Sequence, residues 1–154
     1  ETGTQAGYTS GQIGIQTMIE AVPGIDQLAN VTGEQISNVG SQDMSVKIWL
    51  SLANRINELL AKDDVDGIVI THGTDTMCET AKLLGEREME KTIVLFGSMV
   101  PYAVNNSDAL FNFGCALGSL QLLGHGVYVA MNGRVLPWSD VEKNRSLGIF
   151  QSLN

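Results

Sequence analysis

A chain of 154 residues with a formal net charge of −8 has the length of one domain and the wrong sign of charge for nucleic-acid phosphates or an anionic membrane surface. Hydrophobic residues make up 44% and charged residues 17%, the balance of a packed core and not of a disordered chain. No apolar run reaches the roughly 18 residues needed to cross a bilayer, and no basic segment followed by an apolar stretch opens the chain as a secretory signal.

In chain order, Gly11 to Ala21 has helical spacing through Ile13, Met18 and Ile19, and Pro23 stops it. Glu34 to Val39 predicts a short strand. Asp43 to Ala61 predicts the longest helix. Its apolar positions Val46, Trp49, Leu50, Ala53, Ile56, Leu59 and Leu60 recur at helical steps and form one buried stripe, with Ser41 or Asp43 as the cap. Gly67–Thr71, Thr92–Phe96 and Val127–Met131 are apolar without alternation, as parallel strands covered on both faces must be. Thr74–Leu84 and Ser107–Leu123 read as helices closed by Gly85 and Gly124. Asn132 to Asn154 reads as polar and irregular. Strands alternating with helices predict right-handed βαβ units in a three-layer α/β/α, doubly wound, mainly parallel sheet of Rossmann-like type.

Ligands of such sheets bind beyond the carboxyl ends of the strands. The loop after Gly67–Thr71 reads His72-Gly73-Thr74-Asp75-Thr76 and gathers two hydroxyls and a carboxylate there. Thr74 or Asp75 either caps the next helix, the common role for these types, or meets a ligand. His72, alone at a strand end, is expected to be a hydrogen-bonded structural residue before a general base. Ser41 and Gln42 either grip a small polar ligand or belong to a helix start. Cys78 and Cys115 form no CxxC pair and have no His/Cys cluster around them, so they predict two small buried apolar side chains and no zinc site. No phosphate-binding glycine loop and no Ser/His/Asp relay is present. Lys143, read by itself, is a solvated surface charge.

The run from Asp66 to Met77, Asp-Gly-Ile-Val-Ile-Thr-His-Gly-Thr-Asp-Thr-Met, followed by Glu79-Thr80-Ala81, resembles the signature of the bacterial L-asparaginase family. Further stretches resemble that family along nearly the whole chain. These are Tyr8-Thr-Ser-Gly11 with Glu20-Ala-Val-Pro23, Gly33-Glu34-Gln35, Ser41-Gln42-Asp43-Met44, and Gly97-Ser98-Met99-Val100-Pro101 with Ser107-Asp108 and Asn112. Met131-Asn132-Gly133-Arg134-Val135 with Asp140-Val141-Glu142-Lys143 resembles the segment that carries the family's lysine.

The resemblance implies hydrolysis of the L-asparagine side-chain amide to L-aspartate and ammonia, without metal or organic cofactor. It implies that Thr74, Asp75 and Lys143 form a connected hydroxyl, carboxylate and ammonium group, with Tyr8 on a lid. It implies that Ser41, Gln42, Asp75 and Ser98 hold the substrate. Such a group makes chemical sense, because a threonine hydroxyl is a weak nucleophile until a neighbour removes its proton. The family begins with a strand ending in Thr-Gly-Gly-Thr-Ile, whose threonine is acylated. Thr2-Gly3-Thr4 echoes those letters too close to Tyr8, so that strand is expected upstream of Glu1. Residues 1–154 are expected to be one asparaginase-like α/β domain without the C-terminal domain of longer members. The competing expectation is an aspartate- or asparagine-binding domain that lacks the nucleophile. A homo-oligomer, dimer or tetramer, is implied, with no nucleic-acid or membrane partner. The expected compartment is the cytoplasm, or the periplasm if a leader was removed.

Overall fold

In the computed structural model, which describes residues 14–154, Gly67–Thr71 (β1), Thr92–Phe96 (β2) and Gly126–Met131 (β3) pair in parallel in that order. Arg134–Pro137 (β4) adds an antiparallel edge to β3. Glu142–Asn144 (β5) and Ile149–Gln151 (β6) form a separate antiparallel hairpin. The helices are Ile15–Glu20 (α1), Ile25–Leu28 (α2), Val46–Leu60 (α3), Met77–Gly85 (α4) and Ala109–Leu120 (α5).

The strands lack polar alternation because both faces are covered. On one face Ile93, Leu95, Val127 and Val129 pack against Leu52 and Ile56 of α3 and against Met77, Ala81 and Leu84 of α4. On the other face Val94, Phe96 and Ala130 pack against Met18 and Ile19 of α1 and against Phe113 and Ala116 of α5. The Phe96 and Phe113 rings stack there, 5.1 Å between centroids. The result is the expected α/β architecture, a mostly parallel sheet between helices.

The crossovers depart from expectation. β1, β2 and β3 advance one way across the sheet, yet α4 lies on one face and α5 on the other. Parallel strands advancing in one direction with helices on opposite faces have crossovers of opposite hand. One of the two is therefore left-handed, against a rule that about 98% of such connections obey.

Four further expectations differ from the structure. Glu34 to Val39 forms no strand: Ile36 and Val39 are 37% and 42% exposed with no neighbouring strand to face. Gln35 and Glu34 instead make side-chain bonds, Gln35 to Ile15 N–H and Ser37 C=O and Glu34 to Arg55. The buried stripe of α3 centres on Leu52, Ala53 and Ile56, whereas Val46 and Leu50 are 70% and 54% exposed. Its cap is Ser45, which accepts the Ile48 N–H at 3.3 Å, because Ser41 and Asp43 are taken up by a preceding 3-10 turn. Asn132 to Asn154, expected to be irregular, supplies β4, β5 and β6.

Candidate active site

The site begins where β1 ends. His72 N–H still donates to Phe96 C=O at 2.8 Å, so main-chain pairing extends one residue past the strand. The backbone then turns through Gly73, Thr74 and Asp75 before α4 starts at Met77. The cap position of α4 is Thr76, and the helix has no side-chain cap. Thr74 and Asp75 therefore do not have the capping role open to them from sequence, and their side chains are free for other partners.

The turn leans on Ser41, which is 5% exposed. Asp75 N–H donates to Ser41 Oγ at 2.9 Å, and Thr76 Oγ1 donates to Ser41 C=O at 2.8 Å. Gly73 permits this approach, since a Cβ there would stand 2.7 Å from Ser41 Oγ. Behind the turn, Trp49 Nε1 donates to Thr80 Oγ1 at 2.7 Å, which sends the Thr80 hydroxyl hydrogen to His72 Nε2 at 2.8 Å. His72 Nδ1–H then donates to Gly73 C=O at 2.7 Å. Both ring nitrogens are engaged with the ring neutral, and burial lowers the His72 pKa, which favours that form. His72 is thus the structural residue expected, and Trp49 and Thr80 are its supports. Sequence reading missed both, because a half-buried tryptophan and a mid-helix threonine carry no local sign of partnership.

The second half of the site comes from β5. Lys143 Nζ donates to Thr74 Oγ1 at 2.9 Å and to Asp75 Oδ1 at 3.0 Å, across 69 and 68 residues of sequence. Its side chain is 11% exposed and that of Asp75 48%, so the isolated surface-charge reading of Lys143 does not hold. Arg145, unsuspected from sequence, also reaches Asp75, donating to Oδ1 at 3.3 Å and to the backbone carbonyl at 3.0 Å. Lys143 first, then Arg145, holds the Asp75 carboxyl below the ordinary aspartate value. Trp138 stacks on Gly85 at the end of α4, where no Cβ fits. Val141 and Phe150 are buried in the core, and Ser152 Oγ and Leu153 N–H donate to the Asp140 carboxylate at 2.8 and 3.0 Å. Together these dock the hairpin beside α4.

An open cavity of about 490 Å³ is lined by Thr74, Asp75, Lys143 and Arg145 together with Cys78 and Glu79. That volume suits a small polar ligand. Burial pushes the Cys78 thiol up to about 11, so it stays protonated there. Cys78 and Cys115 are free and half-buried rather than buried, and they pack on opposite sides of the sheet. Of the other expected site residues, Ser41 joins Thr74 and Asp75 through the backbone of the turn. Gln42 is exposed and folds back over Gly40. Ser98 lies in the loop after β2, whose Met99 and Val100 N–H groups donate to the Asp108 carboxylate at 3.1 and 3.0 Å. Neither Gln42 nor Ser98 lines the cavity. Tyr8 lies outside the described residues. Among the described residues, no group of three or more His, Cys, Asp or Glu could hold a metal, and no helix is long and apolar enough to cross a membrane.

A domain model named "Asparaginase, N-terminal" matches residues 1–154. L-asparaginase 2 of Bacillus subtilis (strain 168) is 47% identical over 132 residues, 83% of this chain and 35% of the relative. A probable periplasmic L-asparaginase of Haemophilus influenzae is 42% identical over 160 positions, covering 100% of this chain and 45% of its own length. The crystal structure of a probable cytoplasmic L-asparaginase from Campylobacter jejuni superimposes with a TM-score of 0.85 at 39% identity, over 94% of this chain and 49% of that one. The chain is thus an α/β domain with a mostly parallel sheet between helices. It belongs to the asparaginase family and spans under half the length of each of these relatives. Their names place members in both periplasm and cytoplasm, so family membership is compatible with either compartment.

Proposed function

We propose that the protein containing this domain hydrolyses the side-chain amide of L-asparagine to L-aspartate and ammonia. The observation that carries the proposal is the Lys143 Nζ bridge, 2.9 Å from Thr74 Oγ1 and 3.0 Å from Asp75 Oδ1. Once the lysine has given a proton to solvent, a threonine hydroxyl adds to the amide carbon as its own proton passes to the lysine amine. That proton is returned to the departing nitrogen, which leaves as ammonia. Water then cleaves the resulting ester and releases aspartate. Thr74 fits the hydroxyl role among the described residues, Lys143 the proton carrier, and Asp75 the group that orients it.

For the substrate, the Ser41 hydroxyl beside the Asp75 N–H suits the α-carboxylate. Asp75 Oδ2, which accepts no hydrogen bond among the described residues, suits the α-ammonium. Gln42, Ser98 and Tyr8 are placed beside the substrate on the family resemblance alone. The exposed Val46 and Leu50, one turn apart on α3, support a subunit contact in a homodimer or homotetramer, which light scattering would size.

The test is ammonia release from asparagine by the full protein. Thr74→Ala and Lys143→Met should each lose about 10²–10⁴-fold in rate, the range for a positioned acid–base group, with unfolding midpoints close to wild type. Full activity in either variant removes that residue from the mechanism. Calorimetric binding of aspartate without any ammonia release would instead define a binding domain.

A further inference from the structure

The hairpin that carries Lys143 is short, with β5 and β6 paired at only three positions, and a two-stranded ribbon of that size does not hold itself in water. One side chain that the proposed mechanism does not use ties it to the sheet. Met131 pairs with Arg134 across the β3–β4 turn, which makes Asn132 and Gly133 the two turn residues. Both have positive φ, 43° and 76°, the backbone of a tight hairpin turn that favours Asn-Gly. The Asn132 carboxamide reaches β6: Oδ1 accepts the Phe150 N–H at 2.8 Å, and Nδ2 donates to the Phe150 C=O at 3.1 Å. It grips the Phe150 backbone as a neighbouring strand residue would. Phe150 is the cross-strand partner of Lys143, and its ring is 1% exposed in the core.

We infer that Asn132 is a positioning residue for Lys143: its carboxamide clamps Phe150, which sets the height of β5 and places Nζ between Thr74 and Asp75. Two bonds in a fixed fork define position along and across β6, which a single contact does not. The buried Phe150 ring supplies the anchor, and the clamp supplies the register. The consequence for activity rests on the proposed amidohydrolase function; the consequence for the Lys143–Asp75 contact does not.

Asn132→Gly separates the clamp from the turn, because glycine accepts positive φ at least as readily yet removes both bonds. Asn132→Asp keeps the acceptor for Phe150 N–H and loses the donor. The first readout is the NMR titration of the Asp75 carboxyl, which Lys143 holds low in the wild type. It should move up toward the ordinary aspartate value in Asn132→Gly and part of the way in Asn132→Asp, with faster hydrogen exchange at the Phe150 amide. The second is ammonia release, in which kcat of Asn132→Gly should fall about tenfold to a hundredfold, with KM within about threefold, as for a displaced catalytic group. An unchanged Asp75 titration in Asn132→Gly overturns the inference, even if stability drops, because a purely structural role predicts that result. Should Asn132→Gly not fold, the intermediate titration of Asn132→Asp decides in the same way. Wild-type protein that releases no ammonia, with Asp75 shifting as expected in the variants, defeats the amidohydrolase proposal and leaves the clamp standing.

Discussion

Thr74 and Lys143 meet at 2.9 Å, but the two regions that bring them together are built differently. Thr74 stands at the end of a strand, on a turn held by main-chain pairing to β2, by buried Ser41 and by the His72–Thr80–Trp49 relay of hydrogen bonds. Lys143 stands on a small ribbon docked by a few apolar anchors and by polar side chains acting on backbone groups. The sheet fixes the first position as a by-product of forming. The second is set by a handful of separate contacts, each replaceable without dismantling β1 to β3. One half of the site is therefore as stable as the fold, and the other is adjustable.

The comparison breaks first at Phe150. Phe150→Ala should cost about 3–5 kcal/mol, the usual loss on deleting a buried aromatic ring, measured by urea unfolding. A loss under about 1 kcal/mol would be far below that range and would show that the ribbon is not part of the cooperative core. Thr80→Val tests the other region. It leaves Trp49 Nε1 and His72 Nε2 without their shared partner, for an expected loss of about 1–3 kcal/mol, while hydrogen exchange at the Phe150 amide of the ribbon stays in place. Faster exchange there would mean that the two regions are not separately held. Ser152→Ala removes one bond to Asp140 at the end of the ribbon. It should cost about 1 kcal/mol, with faster exchange at the Leu153 amide and little change elsewhere.

Acidification sharpens the contrast with the smallest effects. The folded-state pKa of His72 is lowered from 6.5, so the unfolded protein takes up a proton first. The stability this imidazole contributes is complete above that value and declines as pH falls below it toward the lowered one. The decline should be absent in His72→Gln when urea midpoints are compared between neutral and mildly acid pH. Asp75 is lowered from 3.8. Its contribution is present above that value and is lost only as pH falls further, through the depressed one. Loss of the Lys143 contact, followed by NMR, should therefore come after the His72 transition, not with it.

Much of the first region was legible in the sequence. Gly67–Thr71 and Thr92–Phe96 read as buried parallel strands because unbroken apolar runs with β-branched residues have few other uses, and the strand-end rule then pointed to Thr74 and Asp75. The second region was illegible for a physical reason. No local pattern shows that Lys143 lies beside Thr74, since the contact exists only after the sheet forms, and only the family resemblance pointed to it. One signal was available and unused. Asn132-Gly133 is a strong hairpin cue, and it would have exposed β4 within a stretch that reads as irregular. Glu34 to Val39 failed the opposite way, because its two apolar residues, Ile36 and Val39, stand three apart without alternating and no strand lies alongside. The crossover of opposite hand had no signal at all, since hand is a property of where helices dock and not of what they contain.

The 69-residue gap between the two partners also orders events during synthesis. A nascent polypeptide that has emerged only as far as β3 already holds β1, β2 and β3 and the Thr74 turn, without Lys143. The ammonium arrives last and docks only when β6 has been made and gripped. The gap therefore sets an order, because a polypeptide that ends before β5 carries the Thr74 turn without Lys143.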